Sequence, residues 1–502
     1  MLKKSLSLLQ KEAYETGTNT LSRKLNAFNL IAIGIGVIIG AGLFSLTGIA
    51  AASHTGPAIT LSFLLAAVGC AFSALCYAEF ASLVPVSGSA YTYSYATFGE
   101  LFAWIIGWDL ILEYSVGAST VAISWSQYLI RFLSNFGLHL PPQLVISPFE
   151  TVTLADGSVT HGIFNLPAIL IVVGITLVII RGVKTSALFN AVIVVLKVSI
   201  VVVFIALGWQ YINPSNYIPY IPRNTGTFGE FGVSGIFRGA GVIFFVFIGF
   251  DIVATMAQET KNPKRNMPIG IIGSLVICTI LFVLFGHVLT GLANYTEFKN
   301  SAAPIAIAIE KTPYAWLSPA IILAILVGYV SVILVDLMGQ SRVFFTMSRD
   351  GLLPKVFSVL HSKFRTPYKS NIFLCVFIAL FAGFVPIRVV GELVSIGTLL
   401  AFVMVCIGVL VLRKTQPDIP RPFRTPWVPL VPVLGVLTCL VLMFSLPLDT
   451  WIRLFVWLVI GLVIYFSYGR KSSSLRKSFT LEKQQNAPDG LYICHKITDC
   501  TN

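Results

Sequence analysis

The sequence predicts an all-α integral membrane protein of about twelve spanning helices. Three observations predict it. Hydrophobic residues make up 56% of the 502 residues and charged residues only 11%, with a mean hydropathy of +0.86, far from the composition of water-soluble domains. Apolar runs close to the roughly 20 residues needed to cross a hydrocarbon core recur along the chain. Two of those runs are interrupted by glycine, GIGVIIGAGLF at 34–44 and GAGVIFFVFIGFD at 239–251.

The elements follow in order. Residues 28–50 contain the first glycine-broken run, 57–84 end near Glu79, and 101–130 carry Asp109 and Glu113. Spans at 166–180 and 187–208 complete a first group of five, the last bearing Lys197. The second broken run lies in 235–257, followed by 268–293 with His287, 316–346 with Asp336, 370–386 and 390–412. Two further spans, 428–446 and 451–468, close the series. An aromatic, Ser-rich segment at 88–100 is expected along the inner interface. The longest outer connection, 131–165, is polar and carries a turn signal at Asp156-Gly157.

Positions of the breaks divide the chain into an N-terminal segment 1–27, a first repeat 28–208, a second repeat 235–413, an appended pair of spans 426–468 and a tail 469–502. An odd number of spans per repeat makes the second enter the membrane upside down relative to the first. The polar start has no apolar core with a cleavage site, so it does not read as a signal peptide. Basic residues gather in the connections on one side, among them Arg181, Lys184, Lys261, Lys264, Arg265, Arg349, Lys355, Arg413 and Arg421. The other side offers only Arg131, Arg223, Lys299, Lys311, Arg388 and Arg453. This bias predicts both termini in the cytoplasm; a plasma-membrane location is an expectation beside it, which the charge bias does not itself establish. Spread over short loops, the net charge of +13 suits anionic lipid and excludes a nucleic-acid groove.

Six of the eight cysteines fall within apolar spans and behave as small hydrophobes. Cys494, His495 and Cys500 lack paired ligand spacing, so no metal is expected and the tail reads as disordered. No HExxH, paired CxxC or GxSxG pattern marks an enzyme. Broken helices enclosing a mid-membrane site suit alternating access better than a channel. A sensor that binds without transporting is a further possibility.

Within a bilayer a helix is left broken only where its freed amides and carbonyls line a cavity. Around Ile38, Gly40, Ala41 and Gly42 the first break exposes amides of the outer half and carbonyls of the inner half. That polarity fits a zwitterion. The alternative for these glycines is close helix packing.

Lys197 sits mid-span, where a lysine costs roughly 2.5 to 3.5 kcal/mol on a translocon scale. It therefore has either a charge-responsive role, as proton coupling requires, or a permanent partner holding helices together. Asp336 is likewise expensive unless a substrate cation, or else Lys197 or another protein cation, meets it. Asp109 lies one helical turn before Glu113 on the same face; Asp109 and Glu79 read either as pathway groups or as solvated interface charges. His287 reads as a packing residue and Arg238 as a snorkelling or vestibule charge.

These features resemble the amino acid-polyamine-organocation superfamily, specifically bacterial relatives of the cationic amino acid transporters. The resemblance rests on GIGVIIGAGLF (34–44), CYAEFASLVPVSGSAYTYSYATFGE (76–100), GWDLILEY (107–114), FFVFIGFDIVATMAQETKNPKRNMPIGI (244–271) and SRDGLLPKVF (348–357). It implies a LeuT-like fold of five plus five helices with helices 1 and 6 broken, and amino acid transport by alternating access. It implies a substrate carboxylate on the amides of Ala41 and Gly42, and an ammonium on carbonyls of Ile38, Phe245 and Ile248. A lysine at the place of Lys197 implies proton coupling without sodium, with Glu113 its expected counter-charge. Gly249 and Asp251 are expected to shape the second break. No cofactor is implied. Two departures stand out: Gln258-Glu259 carries one carboxylate where relatives have two, and Asp336 stands where relatives carry a small or apolar residue. The second favours arginine or lysine as substrate, with a small neutral amino acid or an exchange mode as alternatives. Oligomeric state is not decided by the sequence.

Overall fold

Local chemistry sets where most helices begin. The computed structural model describes residues 2–6, 9, 25–86, 88–153, 159–181, 187–299, 301, 303–362, 364 and 366–485. Lys184, the Asp156-Gly157 turn and the Cys494, His495, Cys500 group lie outside them. Helix α1 (Ala27–Ile38) starts at Asn26, whose side chain accepts the Asn29 N–H at 2.9 Å. After a break the chain resumes as helical turns to Thr55 and stops at Gly56, whose φ of +61° suits a residue without Cβ. Then come α2 (Ile59–Leu83), α3 (Ser89–Thr97) and α4 (Glu100–Ser134).

Strands β1 (Thr151–Thr153) and β2 (Val159–His161) pair antiparallel in the connection to α5 (Leu166–Ile180). This ribbon corrects the expectation of a purely α-helical chain. Asn165 caps α5 and is followed by α6 (Ala187–Gly208), α7 (Gly232–Ile243), the short α8 (Phe250–Thr255) and α9 (Pro263–Leu292). The remainder comprises α10 (Pro304–Glu310), α11 (Ser318–Arg349), α12 (Tyr368–Phe384), α13 (Ile387–Thr415), α14 (Leu430–Ser445), α15 (Leu448–Ile464), α16 (Arg470–Ser472) and α17 (Ser474–Gln485). Proline opens α9 and α10, where its missing N–H costs nothing.

Among the described residues, 8 helical runs are long and apolar enough to cross a membrane, the first spanning 57 residues from Ala27 to Leu83. Three shorter apolar helices, Leu166–Ile180, Tyr368–Phe384 and Leu430–Ser445, accompany them. The protein is thus a multi-span membrane protein. Helix α4 runs through the centre, packed along α11, α13, α12 and α5, while α9 packs along α2 and α1. Its stretch from Ile106 to Ser124 is wholly buried. Outward-facing Val195, Val202, Ile280, Val376, Phe455 and Val463 form the apolar exterior that lipid would cover.

At the end of the molecule where α4 begins, charges are clamped rather than solvated. Glu79 on α2 accepts from Arg413 at 2.9 and 2.8 Å and from the Thr425 N–H at 2.8 Å, with Arg421 3.2 Å away. Its solvated reading is therefore replaced by a buried ion cluster. Glu100 accepts from Tyr465 at 2.9 Å and Arg476 at 2.6 Å, tying α17 beneath α4. Residues 470–472 and 474–485 are thus helical where the tail reads as disordered in sequence. Segment 88–100 also departs from expectation: α3 is inserted into the core, with Tyr91, Tyr93 and Tyr95 each 1% exposed. Tyr93 stacks on Phe80 at 4.9 Å, and the ring area gained by burial outweighs an interfacial position.

Candidate functional site

Helix α1 stops because Ile39 leaves the helical region at φ −77° and ψ 95°. Its N–H still bonds the Ile35 carbonyl at 2.9 Å, and helical geometry returns at Ala41. The new helical run presents its first amides, including those of Ala41 and Gly42, at a buried end. First-turn amides have no partners within their own helix. The Phe44 carbonyl farther out accepts the Tyr128 hydroxyl at 2.7 Å, fixing the outer half to α4.

The second break has a different construction. Helix α7 tightens into a turn at Phe244–Phe247, Ile248 is extended, and Gly249 takes φ +130° before α8. Only glycine adopts that angle readily. A Cβ there would also lie 2.9 Å from Val37 Cγ1. Asp251 Oδ1 accepts the Gly249 N–H at 3.0 Å, and Oδ2 accepts the Tyr114 hydroxyl at 3.3 Å. The carboxylate thereby holds the bend. The Phe245 carbonyl accepts the Ile248 N–H at 3.2 Å, leaving one lone pair free.

The two breaks touch at Gly42, where a Cβ would stand 2.8 Å from Val246 Cα. Between them lies a cavity of about 20 Å³, room for about one water. Ile38, Gly40, Ala41, Gly42, Glu113, Phe245, Ile248 and Asp336 all line it. Lys197, Gly249 and Asp251 do not, and act from behind its wall.

Sequence reasoning missed Val37, Tyr114, Gly117, Val121, Val332 and Val394, which complete the lining. A spacing signal existed. Glu113, Gly117 and Val121 recur every four residues on α4, and Val332 and Asp336 do so on α11, so each set shares a face. Gly117 leaves room opposite Asp336, whose Oδ2 is 3.7 Å from where a Cβ would be.

Lys197 is fully buried on α6, and its Nζ donates to the Gly36 carbonyl of α1 at 2.6 Å. Gly328 on α11 makes space for the stem: a Cβ there would lie 3.0 Å from Lys197 Cε. The charge facing Lys197 is Asp336, not Glu113 as expected, because α11 rather than α4 packs beside α6 at this depth. Asp336 forms no hydrogen bond or ion pair among the described residues. Glu113 is buried beside Thr398 without a complete hydrogen bond. Asp109, far from being solvated, is 0% exposed.

Two further predicted positions resolve plainly. His287 stacks on Tyr217 at 4.8 Å and its carbonyl accepts the Tyr217 hydroxyl, a packing role. Arg238 donates to the Ser445 carbonyl at 2.9 Å and lines, with Arg388, Glu392 and Arg453, an outer cavity of about 190 Å³.

Residues 25–465 match the amino acid permease family. The chain is 46% identical over 467 residues to a branched-chain amino acid permease of Bacillus subtilis, covering 93% of this chain and 97% of the relative. It is 42% identical over 476 residues to a methylthioribose transporter of the same organism, covering 94% and 100%. A vacuolar cationic amino acid transporter of Arabidopsis thaliana is 37% identical over 403 residues, covering 80% of this chain and 65% of the relative.

Proposed function

The chain belongs to the amino acid permease family of the amino acid-polyamine-organocation superfamily, and from that premise we propose that it is a proton-coupled carrier of a neutral aliphatic L-amino acid. The observation that carries this reading is the cavity wall. Val37, Ile38, Val121, Phe245, Ile248, Val332 and Val394 surround the ends of two broken helices, an apolar sleeve for an aliphatic side chain with dipoles for a zwitterion. The substrate carboxylate meets the amides of Ala41 and Gly42. Its ammonium meets the carbonyl ends at Ile38, Phe245 and Ile248. The Bacillus branched-chain relative supports the same substrate class.

Coupling runs through Lys197. When protonated, its Nζ ties the inner half of α1 to α6 through the Gly36 carbonyl, with Asp336 as the opposing charge. Loss of that proton inside removes a charge-assisted bond and frees α1 to swing. Glu113, on the cavity wall, is the second titratable group of the cycle. No sodium is required. The five-plus-five inverted repeat over 28–208 and 235–413, a plasma-membrane location and cytoplasmic termini belong to this reading, supported by matching breaks and by the basic inner loops.

A second reading, a cationic substrate, is favoured by one observation: Asp336 lines the cavity without a hydrogen bond. Proteoliposome uptake of radiolabelled leucine and arginine, with and without an inward proton gradient, separates the two. The proposal expects gradient-driven leucine accumulation at least tenfold above arginine. Arginine accumulation that collapses in Asp336→Ser while leucine is unaffected makes the carrier cationic. Binding without flux of either makes it a sensor.

A further inference from the structure

We infer that Asp109 is a proton-carrying station on the inner side of the pocket, exchanging its proton with Glu113; the inference rests on the proton-coupled reading above. Asp109 is 0% exposed, and neither oxygen has a hydrogen-bond partner among the described residues. The carboxyl is pressed against α13 where Gly397 presents no side chain, Oδ1 standing 3.0 Å from the place of a Cβ. A bare anion is costly in such a setting.

Asp109 is not isolated in this respect. The Glu113 oxygens and the hydroxyls of Tyr77 on α2 and Tyr93 on α3 are also buried without hydrogen-bond partners. Native interiors keep nearly all such atoms paired. Four such side chains together mark groups that gain partners in another state. Glu113 stands on the cavity wall and Asp109 four residues nearer the Glu100 end of α4 (about 6 Å of helix rise), while Tyr77, whose ring meets Tyr93 edge-on at 6.3 Å, flanks Glu113. Lys197 lies on the other flank, against α11 and α1.

The titratable groups around these residues include Tyr114, next to Glu113 on α4. Asp109 and Glu113 face each other along α4; Glu113 also faces Asp251 on α8 and Asp336 on α11. Tyr77 faces Asp251, Glu113 and Tyr93. Helix α13 offers Gly397 and the Thr398 hydroxyl and, facing Tyr77, the Cys406 thiol. During inward transport Asp109 first gives its proton to water admitted from the inner side and becomes a carboxylate. The Glu113 O–H bond then breaks and an Asp109 O–H bond forms, one water bridging the gap, so total charge is unchanged and Glu113 is left ready for the next proton.

The test compares wild type, Asp109→Asn and Asp109→Glu in proteoliposomes loaded for two assays: uptake driven by a proton gradient, and counterflow with equal pH on both sides. The readout is the ratio of the two rates for radiolabelled leucine, or for arginine should that be the substrate. Asp109→Asn is expected to lower the ratio at least tenfold and Asp109→Glu to restore it within about twofold. An unchanged ratio in Asp109→Asn overturns the inference and leaves the coupling reading intact. Wild type that shows no gradient-driven uptake overturns the coupling reading, and this one with it. Should Asp109→Asn lose counterflow as well, Asp109→Glu decides: the pH midpoint of its driven uptake is expected to move, and an unmoved midpoint overturns the inference.

Discussion

Replacing Gly42 by alanine tests how closely the two helix breaks must approach. A methyl there would stand 2.8 Å from Val246 Cα, 2.9 Å from Val246 Cγ2 and 3.1 Å from Phe245 Cδ1. Carbon atoms in ordinary contact lie about 3.5 to 4.0 Å apart, so the two breaks must separate by roughly 0.7 to 1.2 Å. The nearest atom is backbone and cannot rotate away. Overpacking of this kind costs about 1–3 kcal/mol, and a displacement near 1 Å at a reacting or binding centre lowers rates about 100-fold. Gly40 provides the control, since a methyl there meets nothing nearer than Val332 Cγ2 at 3.5 Å. Initial rates of leucine uptake in proteoliposomes, normalised to folded protein, are expected to fall at least 30-fold, taken as roughly 2 kcal/mol, for Gly42→Ala. For Gly40→Ala the fall is within about fivefold, taken as roughly 1 kcal/mol. Gly42→Ala at wild-type rate, or both variants impaired alike, would refute the argument from contact between the breaks.

Other consequences follow from the buried charges. Lys197→Met removes the bond to the Gly36 carbonyl and is expected to abolish accumulation driven by a proton gradient; pH-jump uptake that is unchanged removes Lys197 from coupling. Glu79→Gln leaves Arg413 and the buried Arg421 without their counter-charge and is expected to destabilise the protein by about 3 kcal/mol, read as a lower unfolding temperature in detergent. Arg476→Ala breaks the bond from α17 to Glu100; limited proteolysis should then cut within 470–485 several times faster than in wild type.

The breaks were legible because glycine and its neighbours announce them: Gly249 at φ +130° and Gly42 against Val246 both need a missing Cβ. Asp251 was legible for the same reason, as a short acid placed two residues past a freed amide. The apolar cavity wall was hidden among apolar neighbours, since Val121, Val332 and Val394 look like any residue facing lipid. The charge facing Lys197 was read as Glu113, with Asp336 only as an alternative, because it comes from α11, 139 positions later in the chain, and no local pattern reports which helix packs there. Gly328, which admits the lysine stem, carried the missing signal only once α6 and α11 were side by side. Helix α3 was misplaced because alternating tyrosines and serines suit an interface as well as a core; ring packing against Phe80 decides.

The most direct measurement of the central claim, that a zwitterion is held between the two breaks, is equilibrium binding of radiolabelled leucine to purified protein, competed by leucine methyl ester and by isocaproate. The first lacks the carboxylate charge and the second the ammonium. If the helix ends hold both groups, each competitor binds at least 100-fold more weakly than leucine, about 2.7 kcal/mol for the lost charge-assisted contacts. Competition by either compound at the concentration of unlabelled leucine would contradict the claim.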